Sequence, residues 1–268
     1  MKCAICNGNA SKLFAGRVMG KFDSDYYQCP DCLFIKPENV VWLDEAYASV
    51  ITDCDVGLVN RNLRNTRILV SMFDLLLEAD DKVLDVGGGY GLLCRSLRDK
   101  GFDAYSTDPY CENLFAVGHE PSEQERYRVL CAFEVFEHLE DPMEFLEAQV
   151  LQYSPDFFCF STMCFEGEKP AADWHYYAFE TGQHISFYHA KTLSVIAEKL
   201  GMHYYAIDSA YHLFHKKPLT SSQQRLLRAH TISSKLHFLW VTLKRRGMTL
   251  TPEDYRNARN KLIASQTR

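Results

Sequence analysis

Residues 83–93 read VLDVGGGYGLL. The apolar run before the glycines is a short strand, KVLDV, starting at Lys82. Glycines at 87, 88, 89 and 91 make a turn, and LLCRSLRDKG after them is a helix stopped by Gly101. The same alternation continues outward. FDAYSTD and RVLCAFEV are further strands, and MEFLEAQVLQY is a helix with Pro142 in its first turn. DFFCFSTMCF is a fifth strand-like run, KTLSVIAEKLG an amphipathic helix, and MHYYAIDSAYHLFH a strand-rich segment with the makings of a hairpin. Upstream, LRNTRILVSMFDLLLEA is helical. Strand alternating with helix predicts an α/β fold, a parallel sheet with helices on both faces.

The 268 residues fit one medium domain with small appendages. Four segments are expected: a cysteine-bearing head over 1–38, a linker with helices over 39–78, the α/β domain over 79–218, and a polar, helix-prone extension over 219–268 with an apolar patch at Leu236–Leu243. A net charge of −6 argues against a nucleic-acid surface, the only basic run being LKRRG at 243–247. The amino terminus, MKCAICNGNA, has no apolar h-region, and LHFLWVTL is too short to span a bilayer. A cytoplasmic protein is expected.

Ten cysteines are present. Cys3/Cys6 and Cys29/Cys32 are two C-x-x-C pairs framing a loop of 22 residues. Each pair grips one ion, and two pairs complete a tetrahedral thiolate shell, so the head is expected to hold a structural zinc with no open position. Iron is the alternative that soft thiolates allow. A unit this small has too little apolar surface to fold without such a staple. Cys54, Cys94, Cys111, Cys131, Cys159 and Cys164 read as small buried hydrophobes.

A dinucleotide fingerprint, G-x-G-x-x-G, would need glycine at Leu92. Instead an acid, Asp85, precedes Gly87, Gly89 and Gly91 in the order D-x-G-x-G-x-G. That order resembles motif I of class I S-adenosylmethionine (SAM) methyltransferases, a Rossmann-like fold. The physics agrees: glycines admit a ligand close to the backbone, and a helix start offers N–H groups to a carboxylate. The resemblance implies SAM binding by Asp85, Gly87, Gly88, Gly89 and Gly91. Asp108, 17 residues past Gly91, stands where an acid accepts from the ribose hydroxyls. Its other reading is a turn cap before Pro109.

AFEVFEHLEDP, residues 132–142, resembles the E-V-x-E-H-x-x-D-P segment of ubiquinone-type and many small-molecule methyltransferases. By that match Phe133 and Glu134 lie near the cofactor, and Glu137 and His138 near the reacting centre. A structural role is the alternative for the last two. The segment between Asp108 and the fourth strand is short and polar, and neither the usual third strand nor the acid that often holds the adenine amine can be placed in it.

Phe179–His189 reads FETGQHISFYH, inside the long connection of residues 164–190. Connections of that length in a compact domain are usually functional, and its tryptophan and tyrosines suit an apolar lid. A zinc head, motif I and a histidine here together resemble sugar C-methyltransferases with a zinc-binding head and related glycan-associated methyltransferases. By eye His184 takes the place of the histidine in their Y-x-E-H segment. Gln183 replaces the glutamate, which weakens C-methylation relative to O-methylation. His184 is the first candidate base, His138 the second, and Glu137 completes the catalytic set. His189 reads as a helix cap, and Tyr47 as a packing residue within reach of the pocket.

The expectation is a SAM-dependent methyltransferase with a structural zinc, acting on a small-molecule acceptor such as a sugar or nucleotide sugar. The alternatives are a small-molecule O-methyltransferase of unrelated metabolism and a non-catalytic SAM-binding module that docks a partner.

Overall fold

A computed structural model describes residues 1–48, 55–122, 124–232, 234–245 and 248–266. Cys54, Arg246 and Gly247 of the basic run, and the side chains of Leu236 and His237, lie outside the described residues. Contacts divide the chain into two compact units, residues 1–55 with 132–218, and residues 56–131 with 219–268. The four consecutive segments expected from sequence are a different division, because the head shares its core with a distant part of the chain.

In the first unit the head is a three-stranded antiparallel sheet, β1 (Ser11–Val18), β2 (Phe22–Gln28) and β3 (Ile35–Pro37). A short helix, α1 (Leu43–Ala46), follows. The head's core continues into residues 163–187. Val18, Tyr26, Ile35 and Trp42 pack with Phe165, Tyr177, Ile185 and Phe187. Phe14 stacks on Tyr26 at 4.7 Å and meets Tyr177 edge-on at 5.0 Å. The aromatics expected to form a lid are therefore core: Trp174 packs on Tyr177 at 5.4 Å, and Tyr177 is 1% exposed. Aromatic rings bury the most area per residue, so 38 residues with few aliphatics gain most from borrowing them.

The same unit carries β7 (Phe157–Ser161), β8 (His203–Ala206) and β9 (Tyr211–His215), with β9 antiparallel to both others. The predicted hairpin is β8–β9, and the fifth strand ends at Ser161, earlier than its apolar run. Helix α4 (Pro142–Tyr153) is capped by Asp141, whose Oδ1 accepts from the N–H groups of Met143 (3.1 Å) and Glu144 (3.0 Å). Helix α5 (Ala190–Lys199) is capped by His189, whose Nδ1 accepts from the Lys191 N–H at 3.0 Å.

In the second unit β4 (Lys82–Val86) pairs in parallel with β5 (Asp103–Thr107) and with β6 (Val129–Ala132). Helix α3 (Leu92–Arg98) joins β4 to β5, making the βαβ unit the glycine turn foretold. Among the described residues 109–128 contain no strand. The amphipathic α2 (Leu58–Leu76) buries Ile68, Leu69, Met72 and Phe73. The extension is helical: α6 (Ser221–Ile232), α7 (Ser234–Lys244) and α8 (Thr251–Gln266). Of its apolar patch Val241 is buried, while Leu239, Trp240 and Leu243 are exposed. Asp254 of α8 meets both Arg98 (2.8 Å) and Arg95 (2.8 Å). Burial raises the Asp254 pKa, but the two guanidiniums outweigh it and hold the carboxyl below its ordinary range.

Candidate functional sites

The glycine turn shapes the first site. Gly87, Gly89 and Gly91 have φ of 69°, 57° and 83°, a region side chains disfavour. At Gly88 a Cβ would press on Ser106 Oγ and lie 2.6 Å from Asp85 Oδ2, so a side chain here would force both to shift. Asp85 is 3% exposed, and burial, with Asp108 nearby, pushes its carboxyl up to about 8. Asp108 Oδ2 accepts from the Gly89 N–H at 2.9 Å. Its Oδ1 accepts from Tyr110 (2.8 Å) and Cys111 (2.9 Å). The turn-capping reading of Asp108 is thus realised. A carboxylate has about four lone-pair sites, so acceptor capacity remains.

Phe133 packs against Tyr211 with ring centroids 6.1 Å apart. Glu134 sits at φ 56°, strained for a non-glycine residue. Ser161, at the end of β7, braces it: its Oγ accepts from the Glu134 N–H (2.9 Å) and donates to Oε1 (2.7 Å). Ser161 was not legible as a site residue, because a serine at a strand end carries no distinguishing pattern.

Glu137, His138 and His184 come together. The two imidazoles stand edge to face with centroids 5.0 Å apart. One ligand-type atom from each of the three residues lies within 4.8 Å of the others. His184 Nδ1 is 2.7 Å from the Tyr176 carbonyl oxygen, and His138 Nδ1 is 3.0 Å from that of Gln183. A carbonyl only accepts, so each Nδ1 is the donor in its contact. The Tyr47 hydroxyl, also 3.0 Å from His138 Nδ1, shares that contact, so Tyr47 does more than pack. Glu137 is 0% exposed, and neither carboxylate oxygen has a hydrogen-bond partner among the described residues. Its backbone oxygen accepts from Ile185 (2.8 Å) and Ser186 (3.0 Å), which ties the Glu137–His138 turn to the His184 segment. Tyr176 was missed in the sequence, since it acts through its backbone oxygen, which any residue supplies.

The head holds the His184 segment at three points. Met19 N–H donates to the Phe179 oxygen (2.7 Å), Trp42 Nε1 donates to the Gly182 oxygen (2.8 Å), and Ile35 exchanges backbone bonds with Phe187 (3.0 and 2.9 Å). Gln183 turns its side chain away, its Nε2 donating to the Ala46 oxygen at 2.9 Å. His189 stays at the start of α5.

Within the head, Cys3 and Cys32 sulfurs are 3.5 Å apart, those of Cys6 and Cys29 are 3.4 Å apart, and all four lie within 4.8 Å. Tetrahedral bonds of about 2.3 Å place sulfurs roughly 3.8 Å apart, so the four residues fit such an ion. The hydrogen bond from Cys32 lowers the Cys3 thiol to about 5 and raises that of Cys32 itself. Thr192 Oγ1 donates to the Cys32 oxygen at 2.7 Å and anchors this knuckle to α5.

No curated protein sequence matches the chain. Among solved structures it is similar to the plantazolicin methyltransferase BpumL in complex with SAH (S-adenosylhomocysteine), at 12% identity and a TM-score of 0.42 over 59% of this chain and 84% of that one. It is also similar to magnesium protoporphyrin IX methyltransferase from Synechocystis PCC 6803 with bound SAH, at 13% identity and a TM-score of 0.41 over 65% and 93%. Human N-acetylserotonin methyltransferase in complex with SAM gives 15% identity and a TM-score of 0.43 over 57% and 52%. A family model described as "Methyltransferase domain" matches residues 60–206, more than half of the chain. That span takes in the Asp85–Gly91 turn, Asp108, and the Glu134–His138 and His184 segments. The chain belongs to this methyltransferase-domain family and is a SAM-dependent methyltransferase.

Proposed function

We propose that the acceptor is a small polar molecule, a sugar or nucleotide sugar, methylated at a hydroxyl. One observation carries this reading: the rings of His138 and His184 stand 5.0 Å apart, each held through Nδ1 by a backbone carbonyl. Methyl transfer needs an aligned nucleophile that loses its proton during attack. His184 serves as base, His138 positions the acceptor, and Glu137 completes the cluster. The methyl donor is held by Asp85, Gly87, Gly88, Gly89, Gly91 and Asp108. The sugar reading rests on the resemblance of the head, motif I and His184 to zinc-headed sugar methyltransferases.

The head carries a structural zinc in this reading, supported by the four converging sulfurs. A cytoplasmic location is supported by the nine described cysteines, none of which is in a disulfide. Among those residues no helix is long and apolar enough to cross a membrane. Incubation with methyl-labelled SAM and pools of nucleotide sugars, followed by mass analysis, tests the acceptor. Label in a sugar nucleotide is the expected result. Label only in another class of metabolite overturns the sugar reading.

A further inference from the structure

The geometry points to a divalent-cation site formed by Glu137, His138 and His184, separate from the four-cysteine head. The first observation is Glu137. It is 0% exposed, and neither oxygen has a hydrogen-bond partner among the described residues. Burying a carboxyl group without a partner costs free energy, and such groups are normally paired or bound to a metal.

The second observation is the pair of histidines. In each, Nδ1 faces a backbone carbonyl, Tyr176 for His184 (2.7 Å) and Gln183 for His138 (3.0 Å). A ring N–H donated to a carbonyl orients the imidazole, which is how metal-binding histidines are held. Tyr47, 3.0 Å from His138 Nδ1, adds to that support. The third observation is the spacing, with the three ligand atoms within 4.8 Å of one another. Metal–ligand bonds of about 2.0–2.2 Å separate neighbouring ligand atoms by about 3–4 Å, so small torsional adjustments close the shell.

Two imidazole nitrogens and a carboxylate suit a borderline ion, Mn²⁺, Fe²⁺, Co²⁺ or Zn²⁺, better than Mg²⁺ or Ca²⁺. Three protein ligands leave open positions, in contrast to the closed head. An acceptor hydroxyl bound at an open position loses its proton to solvent, because the cation stabilises the alkoxide. The O–CH₃ bond then forms as the S–CH₃ bond of SAM breaks, with its electron pair going to sulfur. By making the hydroxyl more acidic, the cation takes over the task of proton removal assigned to His184 as a free base. This last step rests on the proposed methylation of a hydroxyl; the cation site does not.

The test uses the full-length protein with its head metal in place and neither SAM nor acceptor added. Mn²⁺ is titrated and free ion is read by electron paramagnetic resonance. One bound Mn²⁺ per chain is expected, and pulsed spectra of the bound ion should show two imidazole nitrogens. Glu137→Gln and His184→Asn should each weaken binding by at least ~10-fold, while SAM affinity by calorimetry stays unchanged and shows that the variants are folded. Absence of Mn²⁺ uptake by the unaltered protein, or bound Mn²⁺ without nitrogen coupling, overturns the inference. Uptake by a folded Glu137→Gln protein equal to that of the original also overturns it. Mn²⁺ binding with no methyl acceptor found would instead overturn the proposed function and leave the cation site standing.

Discussion

The imidazole of His138 meets that of His184 edge to face, 5.0 Å between centroids, although 45 residues separate them along the chain. The contact is kept by backbone bonds from Ile185 and Ser186 to the Glu137 oxygen, 2.8 and 3.0 Å. The hydroxyl of Tyr47 lies 3.0 Å from His138 Nδ1. Tyr47→Phe is expected to lower turnover by about 10-fold, the scale at which outer partners of a functional histidine act. SAM affinity should not change. Turnover within twofold of the original would reduce Tyr47 to packing.

The glycine turn makes a sharper contrast. Gly88→Ala drives a Cβ against Ser106 Oγ and to 2.6 Å from Asp85 Oδ2. Overpacking of this kind costs about 1–3 kcal/mol and should abolish measurable SAM binding. Gly89→Ala meets nothing within 4 Å but holds φ at 57°, so about 1–2 kcal/mol of strain is expected. Calorimetry with SAM and thermal unfolding separate the two. Equal losses would contradict the steric account.

Asp85 makes stability depend on pH. Its folded-state pKa, raised to about 8 by burial and by Asp108, exceeds the model-peptide value of 3.8. The folded protein holds a proton that the unfolded chain releases. Its contribution is therefore fully present below about pH 4 and is lost as pH rises through about 8. Asp85→Asn, neutral throughout, should flatten that slope in urea titrations at pH 5, 7 and 9. An unchanged slope would place its origin elsewhere.

The head should depend on its metal. Cys29→Ser removes one of four sulfurs and is expected to release the ion, with full metal content by elemental analysis as the contrary result. The effect should reach the His184 segment, because Met19, Ile35 and Trp42 hold it. Loss of amide protection at Phe187 along with the head is the expected hydrogen-exchange result.

In the second unit Asp254→Ala leaves the Arg98 guanidinium, 5% exposed, without its bidentate partner. Breaking a buried pair this way costs about 3–5 kcal/mol. The α8 amides should lose protection first. A loss below about 1 kcal/mol would show that Asp103, 2.8 Å from Arg98, suffices.

What could be read from the residues alone follows from range. The β4–turn–α3 unit was legible because glycine positions report backbone conformation directly, and the caps Asp141 and His189 because capping is local. The Cys3/Cys6 and Cys29/Cys32 pairs were legible because ligand spacing is. The role of Phe179–His189 was not. Aromatics and histidines look alike in a core and in a site, and this stretch is both: Phe179 and Phe187 pack with the head while His184 faces His138. Pairing between residues 14–42 and 163–187 leaves no trace in either segment. Glu137 was weighed as structural, since nothing in AFEVFEHLEDP tells a paired carboxyl from an unpaired one.

The core shared by the head and residues 163–187 has a consequence during synthesis. Ribosomes deliver the head first, and the rings that complete its core leave the exit tunnel well over a hundred residues later. At about 5–20 residues per second the interval is on the order of ten seconds. Phe14, Tyr26 and Trp42 wait through it with their partners unmade. The proposed zinc is a constraint the nascent head can acquire at once, so zinc supply during translation should govern how much of the chain folds and how much aggregates.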